Sequence, residues 1–196
     1  MTDLTQLCLD ANSFSGPLPI LSGLNNLVLF SVRRNQLMGT VPLSSVNFPK
    51  LTTVSLADNL FQGPTPESNK SKVHMDIDYG SNSFCLGDPG VDCDSRVNIL
   101  LSISESLGYP VVFAKSWKGN NPCNASQENW KGILCDDKRN ITVVNFNSSG
   151  LSGSIPIELT TLPSLERLDV SDNRLDGIVP NFRLNFLIAE VTIQIL

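Results

Sequence analysis

Residues 51–66 read Leu-Thr-Thr-Val-Ser-Leu-Ala-Asp-Asn-Leu-Phe-Gln-Gly-Pro-Thr-Pro, and the architecture follows from this stretch. Apolar residues lie three and five positions before Asn59 and two positions after it, and Gly63 lies four positions after it. The arrangement recurs along the chain, although the fourth copy lacks the glycine. The six anchor positions are Asn12, Asn35, Asn59, Asn82, Ser149 and Asn173. Anchors of neighbouring repeats are 23 or 24 residues apart, and self-similarity at such a period predicts a solenoid of stacked repeats.

Each repeat is predicted to supply one short parallel strand, whose inward side chains are the alternating apolar pair before the anchor. The anchor amide can bond backbone groups of the neighbouring turn, so the asparagines are expected to form a ladder. The pattern resembles the leucine-rich repeat in its plant extracellular style. This resemblance implies a leucine-rich-repeat solenoid of the α/β class, with short parallel strands and irregular or 3-10 back segments.

The period is lost between Phe84 and Ile141, which predicts an island between two repeat blocks. We expect one short helix in the island, with an Asp or Ser as N-cap and Gly108 as its stop. The predicted buried face of that helix consists of Val97, Leu100, Leu101, Ser104 and Leu107. The segment from Trp117 to Cys135 resembles the Trp- and Cys-containing cap that opens plant leucine-rich-repeat domains. Trp117 and Trp130 are therefore expected to pack inside the cap.

Four segments follow from these boundaries. They are a first repeat block without its N-terminal cap (1–84), an island with the second cap-like segment (85–140), a second repeat block (141–182) and a divergent tail (183–196).

The five cysteines divide into two close pairs and one single residue. Cys85 lies near Cys93 and Cys123 lies near Cys135, which favours two local disulfides and leaves Cys8 as an outward free thiol. Zinc is the disfavoured alternative, because the tight two-residue ligand pairs of zinc sites are missing and no His accompanies the cysteines. Four sequons are predicted glycosylation sites if the chain enters the secretory pathway, at Asn69, Asn124, Asn140 and Asn147.

Composition excludes several function classes. The formal net charge of -5, with 14 Lys and Arg against 19 Asp and Glu, offers no basic surface for nucleic acid. No stretch reaches the run of about 20 apolar residues that a membrane helix needs. The first residues lack a basic region followed by an apolar run, so no secretory signal is predicted in this chain.

No constellation of catalytic residues is found. The single histidine, His74, falls at a position that holds leucine in other repeats, so we expect it to be partly buried and structural. Phosphate-binding and kinase motifs are missing, which predicts a non-enzyme that needs no cofactor. Asp88, Asp92 and Asp94 lack the spacing of a calcium loop and are predicted to serve turns and a helix cap, so no metal site is expected.

The candidate binding residues are outward positions of the repeat strands, which the solenoid places side by side on one concave face. Asp76 is assigned six positions before its anchor and Asp78 four positions before it, so this part of the face is mildly acidic and suits a polar or basic partner segment. A merely solvated face is the alternative, and a glycan on Asn147 would obstruct it. The full candidate set is Asp10, Arg33, Asp76, Asp78, Asn145, Arg167 and Asp169.

A closer resemblance rests on four stretches and covers roughly residues 1–182. These stretches are Phe-Ser-Gly-Pro-Leu-Pro (14–19), Phe-Ser-Val-Arg-Arg-Asn (30–35), Trp-Lys-Gly-Asn-Asn-Pro-Cys (117–123) and Ile-Thr-Val-Val-Asn-Phe (141–146). Together with the two-disulfide island, they resemble the ectodomain of the plant transmembrane-kinase (TMK) subfamily of leucine-rich-repeat receptor-like kinases. The tail after Phe182 departs from the family pattern.

The resemblance implies signal perception at the extracellular face of the plasma membrane, linked to auxin responses. It implies a protein or small apoplastic ligand, with an auxin-binding protein or a co-receptor kinase as partner, and a Ser/Thr kinase and membrane helix that this chain does not contain. Two alternatives stay open. One is a secreted leucine-rich-repeat inhibitor of a cell-wall-degrading enzyme, against which the island argues, and the other is a truncated gene product without function.

Overall fold

The computed structural model describes residues 3–68, 72–77, 81–124 and 130–182, together with the backbone of residues 192–194. The chain forms two compact units, Met1–Cys93 and Asp94–Leu196. Within the described residues, no helix is long and apolar enough to span a membrane.

The first unit consists of two four-stranded parallel sheets and a short 3-10 helix, Leu43–Val46. The strands of the first sheet are β1 (Gln6–Cys8), β3 (Leu29–Ser31), β5 (Thr53–Ser55) and β7 (His74–Asp76), in that spatial order. The strands of the second sheet are β2 (Ser15–Pro17), β4 (Gln36–Thr40), β6 (Leu60–Gly63) and β8 (Ser83–Phe84). Each repeat therefore adds one strand to each sheet. Phe30, Val54 and Phe61, which belong to β3, β5 and β6, are fully buried in the hydrophobic core of this unit.

The anchor asparagines form the predicted ladder between repeats. Asn59 Oδ1 accepts a hydrogen bond from the backbone N–H of Leu37, 3.1 Å away, and its Nδ2 donates to the carbonyl oxygens of Val32 and Leu56. Asn35 and Asn82 make the equivalent bonds with their preceding repeats. These bonds satisfy backbone groups that short strands and turns would otherwise leave unpaired in a buried place.

The fourth repeat departs from the predicted register by two residues. His74 pairs with Thr53 and Asp76 pairs with Ser55, whereas counting back from Asn82 had placed Asp76 level with Thr53. The Asn82 amide still reaches its ladder position, but it donates to the carbonyl oxygen of Ile77, five residues back instead of three. Two additional residues therefore lie between the strand and the anchor in this repeat.

The prediction that His74 is partly buried is consequently wrong. His74 is exposed, because the shifted register places it in an outward row and not in the inward position that leucine holds in other repeats. Asp76 stays on the outward face, one row further along than predicted. Asp78 lies outside the described residues.

The second unit begins with two helices, where the sequence predicted one. The first, α1 (Ser95–Ser106), starts as expected with Asp94 as its N-cap and stops before Gly108, where φ is 72°. The second, α2 (Val111–Ser116), follows Pro110, whose fixed φ suits the residue that precedes a helix. At six residues, α2 is too short to show the apolar periodicity by which α1 was found.

The repeat strands of the second unit also form two sheets. The elements are β9 (Ile133–Cys135), β10 (Ile141–Asn145), β11 (Ser152–Ser154), a 3-10 helix (Ile157–Thr161), β12 (Arg167–Asp169), β13 (Arg174–Asp176) and β14 (Thr192–Gln194). The larger sheet has the order β14-β12-β10-β9, and only β9 is antiparallel to its neighbour. Strand β14 belongs to the tail that the sequence treated as divergent, yet its backbone continues the parallel ladder beside β12.

An aromatic cluster forms part of the core of the second unit. Trp117 is 1% exposed and stacks on Phe113 with ring centroids 4.1 Å apart, and Phe146 and Trp130 complete the cluster. The Trp117 indole N–H donates to the carbonyl oxygen of Lys131. Both tryptophans therefore lie in the core of the unit, and both are buried.

The two units contain one disulfide each. Cys85 is bonded to Cys93 with a Cα–Cα distance of 5.8 Å, and Cys123 is bonded to Cys135 with a distance of 5.6 Å. Cys8 is an exposed free thiol.

Candidate functional site

The solvent face of the first unit is built from three rows of side chains that run across the strands of the first sheet. Strand register places Gln6, Leu29, Thr53 and His74 in one row and Cys8, Ser31, Ser55 and Asp76 in the next. The third row, just beyond the strands, contains Asp10, Arg33 and Ala57, although Ala57 and Ser31 are themselves buried. Because residues in one row are about 4.8 Å apart across parallel strands, the exposed members of a row can contact the same partner.

Arg33 is the centre of this face. Its Nε lies 3.2 Å from Asp58 Oδ2, and its guanidinium also lies 3.7 Å from Asp76. The Asp10 carboxylate accepts hydrogen bonds from the backbone N–H of Arg33 and from the Ser31 hydroxyl. The predicted residues Asp10, Arg33 and Asp76 are thus brought together. Asp58 joins them although the sequence analysis did not select it, because it lies beyond the counted rows, directly before anchor Asn59.

The solvent face of the second unit carries fewer charges. Leu134, Val143 and Arg167 form one row across β9, β10 and β12, and Asn145 and Asp169 form the next. Leu134 is 61% exposed, and the Arg167 side chain is 54% exposed. The sequence analysis missed Leu134 because it lies in the island, outside the repeats from which the rows were counted.

Asp169 is at the same face but is already engaged. Its side chain is 9% exposed, and its Oδ1 accepts hydrogen bonds from the hydroxyl and the backbone N–H of Ser171. The hydrogen bond from the Ser171 hydroxyl, assisted by the backbone bond and by Arg167 at 3.7 Å, holds the pKa of Asp169 below its ordinary value against the opposing effect of burial. Asp169 is therefore a buried structural anion that holds Ser171 and lies beside Arg167.

The four sequons differ in their surroundings. Asn69 lies outside the described residues, and so do the two residues that complete the sequon of Asn124. Asn140 Nδ2 donates one hydrogen bond, to Asp136, whose pKa is lowered chiefly by that bond. Asn147 Nδ2 donates to the Ser171 hydroxyl at 2.6 Å and to Asp172 at 3.1 Å. Both N–H groups of Asn147 thus link neighbouring repeats, and a glycan there would replace one of them.

Neither face has the composition of a metal centre. Among the described residues, no three His, Cys, Asp or Glu side chains are grouped so that they could hold a metal ion. Both faces present charged, amide and apolar groups to solvent.

Comparison with known proteins agrees with this architecture. The family model of the leucine-rich-repeat N-terminal domain matches residues 90–136, and that of the leucine-rich repeat matches residues 164–185. The first match contains residues 117–135, the segment predicted to resemble a cap, and it extends further toward the N-terminus to include α1 and α2. The chain is therefore a leucine-rich-repeat protein, and the predicted fold class is confirmed.

Three plant receptor kinases are similar over most of the chain. Receptor-like kinase TMK2 of Arabidopsis thaliana is 47% identical over 84% of the chain, and Receptor protein kinase WSS1 of Oryza sativa subsp. japonica is 41% identical over 84%. Receptor-like kinase TMK4 of Arabidopsis thaliana is 36% identical over 88%. The chain is related to the TMK-type receptor-like kinases of plants, as its motifs predicted. It spans only 17% to 18% of the length of these relatives.

Proposed function

We propose that this chain is a non-catalytic recognition module that works outside the plant cell as part of a receptor-like kinase. The single observation that carries the proposal is the alignment of side chains from successive repeats on the solvent face of the first unit and on that of the second unit. Repeat arrays use such extended surfaces to bind partners. The buried ladder and core below the strands hold these rows in place, so the faces are preorganised for binding.

The two disulfides support the extracellular location, because such bonds persist in oxidising compartments. The sequons at Asn69, Asn124, Asn140 and Asn147 are the glycan acceptors in this proposal. Of the two sequons that lie wholly within the described residues, that of Asn140 is better suited to a glycan, because Asn140 Nδ2 donates to Asp136 within its own turn whereas Asn147 Nδ2 bonds Ser171 and Asp172 of the next repeat.

The partner in this proposal is a protein or a small apoplastic ligand. An auxin-binding protein and a co-receptor kinase are the specific candidates, and the link to auxin rests on family resemblance alone. The chain itself performs no chemistry: binding would favour one pairing of receptors, and the kinase reaction would belong to a part of the receptor outside this chain.

Direct binding measurements test the proposal. The full chain is produced through the secretory pathway, immobilised, and exposed to a purified auxin-binding protein and to a co-receptor ectodomain. Asp76→Lys and Asn145→Lys place a charge on the first and second solvent faces, and Asp137→Lys and Ser152→Lys are matched controls at exposed positions elsewhere. We expect saturable binding that is lost in one face variant and kept in both controls. Failure of both candidates to bind, or equal binding by all four variants, would refute recognition through these faces.

A further inference from the structure

The two arginines on the solvent faces have different surroundings. Arg33 is within ion-pair distance of two carboxylates, those of Asp58 and Asp76. Arg167 has a single charged neighbour among the described residues, Asp169, at 3.7 Å. Asp169 in turn already accepts two hydrogen bonds from Ser171. An arginine side chain carries five N–H donors, so the Arg167 guanidinium has donors beyond those that the described residues engage.

Apolar residues lie beside Arg167 in the same row. Val143 pairs with Arg167 on one side and with Leu134 on the other, so the row runs from an exposed aliphatic side chain to a cation across three strands. Ile133 and Val144, the neighbours that point to the opposite side, are both buried. The outward direction of Leu134 therefore follows from the pairing. The exposed Leu134 side chain is not part of the buried core.

Asn145 adds a polar group next to this row. It is exposed, and its Oδ1 accepts a hydrogen bond from the backbone N–H of Asn147. Its Nδ2 group makes no hydrogen bond with another described residue. An amide donor at this place is suited to the backbone carbonyl of an extended segment.

We infer that the row Leu134–Val143–Arg167 binds an extended protein segment that presents an Asp or Glu carboxylate two or three residues away from an apolar side chain. This inference rests on the proposed function, since it specifies the partner of one of the two faces. The apolar side chain lies on Leu134 and Val143, and the carboxylate pairs with the Arg167 guanidinium. Asn145 holds the backbone of the segment.

The spacing supports an extended segment. Leu134 and Arg167 lie two strands apart, which is roughly 10 Å between backbones. In an extended chain, residues two or three apart are separated by about 7 to 10 Å, which matches the row. Charge complementarity favours an acidic segment. A basic segment would be repelled by Arg167, and a neutral segment would offer no charged acceptor to the Arg167 guanidinium.

A peptide selection tests the inference without knowledge of the natural partner. The full chain, produced through the secretory pathway, is used to select from a phage-displayed library of random linear dodecapeptides. Arg167→Gln and Leu134→Ser are selected in parallel, with Arg174→Gln as the matched control, because Arg174 is exposed in the same unit but lies in the other sheet. All replaced side chains are exposed, so the variants are expected to fold, and thermal unfolding verifies this.

We expect the wild type and Arg174→Gln to enrich peptides with an acidic residue two or three positions from an apolar one. Arg167→Gln is expected to lose the acidic preference, and Leu134→Ser the apolar preference. A synthetic enriched peptide should bind Arg167→Gln about 3- to 10-fold more weakly than wild type. Its affinity for the wild type should also fall with added salt, because exposed charge pairs are screened.

Three outcomes would overturn the inference: no enrichment, enrichment without acidic residues, or the same acidic preference in Arg167→Gln. These outcomes are distinct from failure of the proposed function. If a natural partner binds Arg167→Gln and Leu134→Ser as well as wild type, recognition stands and this row is not its site. If no natural partner binds, the proposed function fails, while the peptide selection still reports on the row.

Discussion

Asn59 Nδ2 donates a hydrogen bond of 3.0 Å to the backbone carbonyl oxygen of Val32, one repeat earlier in the chain. Because this bond is made by a side chain 2% exposed, it couples the two repeats in a place that water does not reach. The stacking of repeats thus depends on amide groups as well as on the apolar core.

Asn59→Ala should therefore destabilise the first unit strongly. It leaves the buried Leu37 N–H without its acceptor, and it removes one of the two amide donors from each of the carbonyl oxygens of Val32 and Leu56, which still accept from Asn35 and Asn82. We expect this to cost about 1 to 3 kcal/mol in the free energy of unfolding. Asn12→Ala is the matched control, because Asn12 is exposed and, among the described residues, its amide bonds carbonyl groups of its own repeat. Urea denaturation measures both. Equal losses in the two variants would show that bonding between repeats adds nothing.

The residues just before the anchors are strained in a way that glycine would relieve. Five of them have positive φ, namely Ala11, Arg34, Asp58, Ser148 and Asp172. Ala11 is exposed and has a φ of 54°, so Ala11→Gly should raise the free energy of unfolding by up to about 1 kcal/mol. Ser13→Gly, nearby at an ordinary φ, should lower it slightly because glycine is more flexible when unfolded. A destabilising Ala11→Gly, measured in the same denaturation series, would contradict this explanation.

The N-cap of α1 should make stability depend on pH. Asp94 accepts hydrogen bonds from the side chain and the backbone N–H of Arg96, and the side-chain bond is the main reason why the pKa of Asp94 lies below its ordinary value. A lowered pKa means that the unfolded chain binds the proton more readily, so the stabilisation is complete above the unfolded value of about 3.9 and is lost as pH falls through the folded value.

Asp94→Asn keeps a good N-cap but loses the ion pair. We expect it to be less stable than wild type by about 1 kcal/mol near neutral pH, with a difference that shrinks below about pH 4. Asp92→Asn, at an exposed neighbouring position, is the control. Unfolding measured between pH 7 and pH 3 tests this, and a difference that stays constant over that range would rule out the ion pair as its source.

Removing either disulfide should destabilise only the unit that contains it. Cys85 and Cys93 are 8 residues apart, and Cys123 and Cys135 are 12 apart. Loops of this size are stabilised by about 2 to 3 kcal/mol when they are cross-linked. Cys85→Ser/Cys93→Ser should therefore weaken hydrogen-exchange protection in the first unit, and Cys123→Ser/Cys135→Ser in the second. Cys8→Ser should leave both unchanged. Peptide mapping under non-reducing conditions that found these four cysteines free would remove the basis of this prediction.

Much of the fold follows from sequence because the repeat is a local pattern copied along the chain. Phe30 and Val54 are buried as their position before the anchor predicts, and the anchor amides bond where the ladder requires. The cap of α1 was also predictable, since Asp94 and Gly108 act within their own turn. These features depend on interactions between residues close in sequence, or between copies of the same motif.

Other features depend on how the strands and their side chains pair with one another, and the spacing of the anchor residues in the sequence could not reveal them. In the fourth repeat, β7 pairs with β5 in a register that differs by two residues from the one counted back from Asn82. His74 is exposed as a result. The two arginines of the solvent faces also differ in their neighbours: Arg33 pairs with the carboxylates of two later repeats, and Arg167 lies next to Val143.

The chain by itself determined the repeat, the inward residues and the anchor ladder, because each arises from a spacing that is visible in one dimension. Tertiary structure alone decided which outward groups of different repeats meet, because the ion pairs of Arg33 and the strand register join residues about 20 or more positions apart. The distinction between a satisfied and an available arginine, on which the proposed binding row depends, belongs to that second level.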